Sequence, residues 1–105
     1  MTDKIVVFSS CDSAATADAL ARGLVEARLA ACVNIVPGAR SVYRWNGKVE
    51  ESKEWLLIIK SSRALARELI EELKRLHTYQ VPEAVAIPIV DGSDAYLDWL
   101  DRELR

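Results

Sequence analysis

Residues 43–49 read YRWNGKV. The Asn46-Gly47 pair is the strongest short-range hairpin signal, because a two-residue type I′ turn needs positive φ at both central positions. Working outward, residues 31–45 form one strand, interrupted at Pro37-Gly38, and residues 48–60, ending in WLLIIK, return as the next. Tyr43 and Trp45 alternate on one face of the outgoing strand, beside the tip. Hairpin ends usually sit in water and are polar, so two large aromatics there imply a surface that covers them. Length makes the same point. Residues 33–45 at about 3.4 Å each extend about 44 Å, whereas a domain of this size has a diameter of roughly 33 Å. The tip therefore overhangs its own domain, and the hairpin reads as an arm that places Tyr43 and Trp45 in an interface between subunits.

The flanking segments place this hairpin in a fold. KIVVFSS, residues 4–10, reads as a buried strand. Asp12 or Ser13 then caps a helix carrying Ala17, Leu20, Ala21, Leu24 and Val25 at helical spacing. After the hairpin, Ser61 or Ser62 starts a second helix with an apolar stripe of Leu65, Leu69, Ile70, Leu73 and Leu76 and a Glu71–Arg75 pair. AVAIPIV, residues 84–90, is the fourth strand, and Asp91-Gly92 turns into a last helix with Tyr96, Trp99 and Leu100 on one side. The order β-α-β-β-α-β plus a terminal helix is the signature of a ferredoxin-like plait, an α+β fold, over residues 1–105 as a single domain. Pro37 and Pro88 cannot donate to a ladder, so strands two and four belong at the sheet edges.

A monomeric plait does not satisfy this pattern. Strand one alternates Ile5 and Val7 with Val6 and Phe8; strand three alternates Trp55, Leu57 and Ile59 with Leu56 and Ile58. Both faces are apolar, yet two helices cover only one of them. Five residues on each of four strands would expose roughly 300 Å², near the largest patch a monomer tolerates. Self-association around an axis, as a closed ring, is the economical solution.

Composition narrows the function classes. The 105 residues carry 14 basic and 16 acidic side chains, a net charge of −2, and 50% hydrophobic residues. The chain has enough apolar content for a core without a disulfide or structural metal. There is no basic footprint for nucleic acid or an anionic membrane. No run reaches the roughly 20 apolar residues of a membrane span, and the start is too short for a signal peptide. Cys11 and Cys32 form no C-x-x-C pair and read as reduced thiols, so the expected compartment is the cytoplasm. EWLLIIKS lacks the stacking aromatics and basic residues of an RNA-recognition motif. With one histidine, no Gly-rich phosphate loop and no nucleophile paired with an evident base, catalysis is disfavoured as well.

The segments RLAACVNIVPGARSVYRWNGKVEE, LLIIKSS and LHTYQVPEAVAIPIVDGSDAYLDWL resemble, in order and spacing, the CutA divalent-cation-tolerance family over nearly the whole chain. The resemblance implies a cytoplasmic homotrimer with inward-facing sheets, related in architecture to the PII signalling proteins, and a role in tolerance of copper and other divalent metal ions. Two positions depart from the family pattern. Its frequent Cys-Pro-Asp is Cys11-Asp12-Ser13, and its frequent His-Pro-Tyr is His77-Thr78-Tyr79, which alters how His77 is aimed.

The candidate metal ligands are Cys11, Cys32 and His77, with copper as a cargo not needed for folding. Cys11, just before a helix N-terminus, reads as the accessible thiol, where the dipole favours thiolate; a small loop filler is the bland alternative. Cys32, in AACVNI, reads as a buried packing thiol, and its metal role rests on the resemblance. His77, at the end of helix two, reads more readily as a helix C-cap than as a ligand. A second candidate site is an inter-subunit cleft with Lys60, Tyr79, Gln80 and Glu83, where a small effector would bind as in a PII-like module; interface packing is its structural alternative. Glu50 and Glu51 on the hairpin are of metal-ligand type, but such a pair reads more readily as a solvated face protecting an edge.

Overall fold

A computed structural model describes residues 2–105. Strand β1 (Lys4–Cys11) leads into helix α1 (Ala14–Glu26), then β2 (Cys32–Trp45), β3 (Lys48–Ser62), α2 (Ala66–Leu76), β4 (Val85–Pro88) and α3 (Asp94–Glu103). The four strands form one antiparallel sheet in the order β2-β3-β1-β4. The fold is the α+β, ferredoxin-like plait expected, with the proline-bearing strands at both edges.

Alternation along the central strands divides the sheet as the sequence indicates. Ile5, Val7, Leu57 and Ile59 are buried beneath α1 and α2, where they meet Leu20, Leu24, Leu69 and Leu73. Helix α1 begins at Ser13, whose hydroxyl accepts from the Thr16 backbone N–H at 3.1 Å. Gly23 lets α1 approach α2 closely, since a Cβ there would lie 2.8 Å from Leu76 Cδ1. Leu100 and Leu104 close a smaller cluster with Ala31. The opposite sheet face carries Val6, Phe8, Leu56 and Ile58 and extends onto β4 through Val85 and Ile87, which are exposed. Among the described residues no element covers that face.

The β2–β3 hairpin turns at Asn46 and Gly47 with φ of 51° and 78°, the two positive values a type I′ turn requires. The expected interruption at Pro37-Gly38 is a bulge, with the register shifting between Val36 and Ala39 and Gly38 at φ 83°. The molecule measures 44 × 25 × 23 Å, an elongation that follows from the hairpin.

Several local expectations are corrected. Strand β1 runs through Cys11, which pairs with Trp55. Strand β3 continues to Ser62, and a 3₁₀ turn, Arg63–Leu65, precedes α2, so neither Ser61 nor Ser62 caps it by a side-chain bond. Ser61 instead donates to the Leu29 carbonyl at 2.6 Å, inside the protein. The pair expected between Glu71 and Arg75 is replaced by Arg75–Glu72 and Lys74–Glu71, both one residue closer. Strand β4 is shorter than residues 84–90: its ladder with β1 spans Val85–Pro88, followed by one bond from the Ile89 N–H to the Lys4 carbonyl at 3.0 Å.

Candidate functional site

The loop between α2 and β4 is held against the sheet by one imidazole. His77 ends α2, with its backbone N–H on the Leu73 carbonyl, so the cap reading holds. Its Nε2 lies 2.8 Å from the Ser10 carbonyl oxygen, and its Nδ1 accepts the Tyr79 backbone N–H at 3.0 Å. This pattern assigns the proton to Nε2, which donates to Ser10, and leaves neither nitrogen lone pair free for a metal. The His77 and Tyr79 rings are in contact, centroids 4.7 Å apart and tilted by 44°.

Tyr79 is thereby aimed at β3. Its hydroxyl donates to Glu54 Oε2 at 2.7 Å. Burial and the adjacent Glu54 carboxylate push the Tyr79 phenol well above the ordinary tyrosine range, so it remains a donor. Glu54 is buried on the same sheet face as Leu56 and Ile58. Between this pair and the hairpin lies a cleft of about 720 Å³, whose walls include Tyr43, Trp45, Val81, Pro82 and Glu83. The strand alternation after the bulge explains the hairpin side. Ser41, Tyr43 and Trp45 stand opposite Ser52, Glu50 and Lys48, in phase with Glu54.

The structure brings Tyr79, Gln80 and Glu83 together at this cleft, along with Tyr43 and Trp45. Lys60 is elsewhere in the chain. It sits opposite Val6 and Cys32, and its ammonium donates to Asn34 Oδ1. Glu51 pairs with Arg40 at 2.5 Å. Glu54 is the residue that sequence reasoning missed. Its signal is phase: a carboxylate two positions before Leu56, where alternation calls for an apolar side chain.

The thiol assignments are reversed. Cys11 is fully buried on the helix-covered face and not accessible, and burial pushes its thiol up despite a 3.5 Å contact with the Ser13 carbonyl. Cys32 is the partly exposed thiol. They stand opposite Trp55 and Lys60, on different faces and about 17 Å apart along β3. Cys11, Cys32 and His77 therefore do not converge, and no group of three or more Cys, His, Asp or Glu able to hold a metal occurs among the described residues.

A family model described as CutA1 divalent ion tolerance protein matches residues 5–103. The divalent-cation tolerance protein CutA of Thermus thermophilus is 52% identical over 95 residues, which is 90% of this chain and 92% of that protein. The chloroplastic protein CutA of Arabidopsis thaliana is 48% identical over 96% of this chain, which spans only 56% of that longer protein. The crystal structure of CutA from Xylella fastidiosa matches with a TM-score of 0.97 at 40% identity, covering 99% of this chain and all of that one. The plait, the long bulged hairpin and these matches together show that the chain belongs to the CutA1 divalent ion tolerance family.

Proposed function

We propose that this chain is the subunit of a cytoplasmic, non-catalytic homotrimer that binds copper or another divalent metal ion and serves in metal tolerance. Family membership carries the tolerance reading. The open apolar sheet face and the aromatic arm support self-association, because Phe8, Leu56 and Ile58 are only partly buried and Ile87 is exposed among the described residues. A closed trimer buries three such faces about one axis. The two free thiols, placed too far apart to pair, suit a reducing compartment. No helix of the described residues is long and apolar enough to cross a membrane.

For copper, the burial pattern favours Cys32 over Cys11 as the thiol that meets the ion, and His77 would first have to give up a hydrogen bond. The metal is cargo rather than a support for folding, since the core is complete without it. Native mass spectrometry with and without Cu(I) reads both parts of the proposal. Three times the 11.7 kDa chain mass is expected, with copper retained by the wild type and lost in Cys32→Ser. A monomer overturns the assembly, and a copper-free spectrum overturns the metal reading.

A second reading is favoured by the cleft itself. Tyr79, Glu54 and Glu83 converge with the aromatic arm around a volume of ligand size, which suits a PII-like module that binds a small effector beside the subunit boundary.

A further inference from the structure

Glu54 has one carboxylate oxygen to spare. It is only 6% exposed, and its Oε2 is taken by the Tyr79 hydroxyl. Among the described residues no donor serves Oε1, yet this oxygen is not sealed inside the protein, and Glu54 lines the cleft. A carboxylate so far removed from water is costly unless a positive partner meets it. The described residues do not supply one. No Lys, Arg or His lines the cleft, Lys60 is engaged with Asn34, and the second acidic lining residue, Glu83, adds to the negative field.

The remaining walls say what kind of cation fits. Tyr43 and Trp45 offer aromatic faces, and Val81 and Pro82 an apolar wall. A hard divalent ion calls for six or more oxygen ligands, and the cleft offers two carboxylates and no three-residue ligand cluster. An ammonium group needs only one or two charge-assisted hydrogen bonds and gains from a neighbouring π face. The volume of about 720 Å³ matches a small organic molecule.

We infer that the cleft binds a small organic amine, its ammonium on Glu54 Oε1 and its apolar body between the Tyr43 and Trp45 rings and the Val81–Pro82 wall. This rests on the effector reading of the cleft and is independent of where a metal binds. Tyr79 acts as a positioning residue. By occupying Oε2 it turns Oε1 toward the ligand. The competing occupant is a basic side chain of a second copy, because Tyr43 and Trp45 also belong to the proposed subunit boundary.

The test is calorimetric titration of the full chain, in its solution assembly, with benzylamine, benzyl alcohol and benzoate, while NMR shifts of the Trp45 and Tyr79 side chains locate the binding. Benzylamine is expected to bind about tenfold more tightly than benzyl alcohol, with benzoate weakest. Glu54→Gln should erase the amine's advantage with melting temperature and elution volume unchanged. Should that variant fail to fold, the ranking of the three probes on the wild type decides alone. Benzyl alcohol or benzoate matching benzylamine overturns the amine class while leaving the cleft as a binding site. Absence of any shift at Trp45 and Tyr79 overturns both readings. Amine binding seen only after the assembly is dissociated also overturns the inference, since a second copy then fills the cleft.

Discussion

The Tyr79 hydroxyl reaches Glu54 Oε2 at 2.7 Å, and this one bond ties the loop before β4 to the root of the hairpin arm. Tyr79→Phe leaves a buried carboxylate with no protein donor. The expected loss is about 1–3 kcal/mol of stability, read by chemical denaturation. The alkaline limb carries a further signature. Burial, then Glu54, raises the Tyr79 phenol, so its contribution is complete below about pH 10, the ordinary tyrosine value, and is lost as pH rises through the folded value. Stability measured against pH should therefore fall more shallowly above pH ~10 in Tyr79→Phe than in wild type. Identical alkaline limbs would show that the phenol is not held by Glu54.

The two thiols should differ in chemistry as they do in burial. The Cys11 sulfur is fully enclosed and its thiol is pushed up by burial, both of which suppress thiolate. Iodoacetamide at neutral pH is expected to leave Cys11 unmodified in the folded protein and to modify it after denaturation, as mapped by peptide mass spectrometry. In Cu(I) competition with a chromophoric chelator, Cys11→Ser should match the wild type while Cys32→Ser loses binding. Native labelling of Cys11, or copper binding that follows Cys11, would reverse this assignment.

These thiols show where the sequence is legible and where it is not. The strand order can be read because Pro37 and Pro88 forbid central positions, and the uncovered face because Val6, Phe8, Leu56 and Ile58 keep strict phase. Cys11 cannot be placed by local pattern. Its environment depends on how far β1 pairs with β3, a long-range matter, and the extra ladder step to Trp55 removes it from the loop where a helix dipole would act. The same holds at Ser61, whose cap-like look is overridden by its bond to the Leu29 carbonyl. Glu54 is visible only to a reader who treats a charge in an apolar phase as information, and its partner Tyr79 arrives from a loop with no periodicity.

Lys4 presents a different electrostatic arrangement. Its side chain is 5% exposed and its ammonium meets Asp3 at 2.7 Å and Asp101 at 2.8 Å, joining β1 to α3. Burial opposes the charge, but the bonds to Asp101 and Asp3 prevail and hold Lys4 above its ordinary value; the Lys4 bond in turn holds Asp3 below its own. The signs give two windows. The Asp3 contribution is present above its unfolded value of about 3.9 and is lost as pH falls through the folded one; the Lys4 contribution is present below about 10.4 and is lost as pH rises. Asp101→Asn is expected to lower stability by about 1 kcal/mol at neutral pH and to make the loss above pH ~10 shallower, because Lys4 then holds its proton less tightly in the folded state. Thermal melts at acid, neutral and alkaline pH check this, and an unchanged neutral melt would show that α3 is held by Leu100 and Leu104 alone.

Ile87 offers the cleanest test of the uncovered sheet face. It pairs with Val6 on the face that carries Phe8 and Ile58, and in the single chain it is 48% exposed. A polar substitution at so exposed a position changes the stability of an isolated chain by no more than about 0.5 kcal/mol. If three copies seal this face, Ile87→Asp instead places carboxylates in a desolvated interface, and charge burial of that kind is not tolerated. The variant is therefore expected to elute as a folded monomer where the wild type elutes as a trimer, with its circular dichroism retained. Trp45→Ala should weaken the same assembly by more than about 2 kcal/mol, because truncating a large aromatic beside the subunit boundary removes packing there. Sedimentation velocity over a dilution series reads both variants. A trimer in Ile87→Asp that persists to nanomolar concentration would mean that the copies meet elsewhere, and that the face bearing Val6, Phe8 and Ile58 is left to another partner.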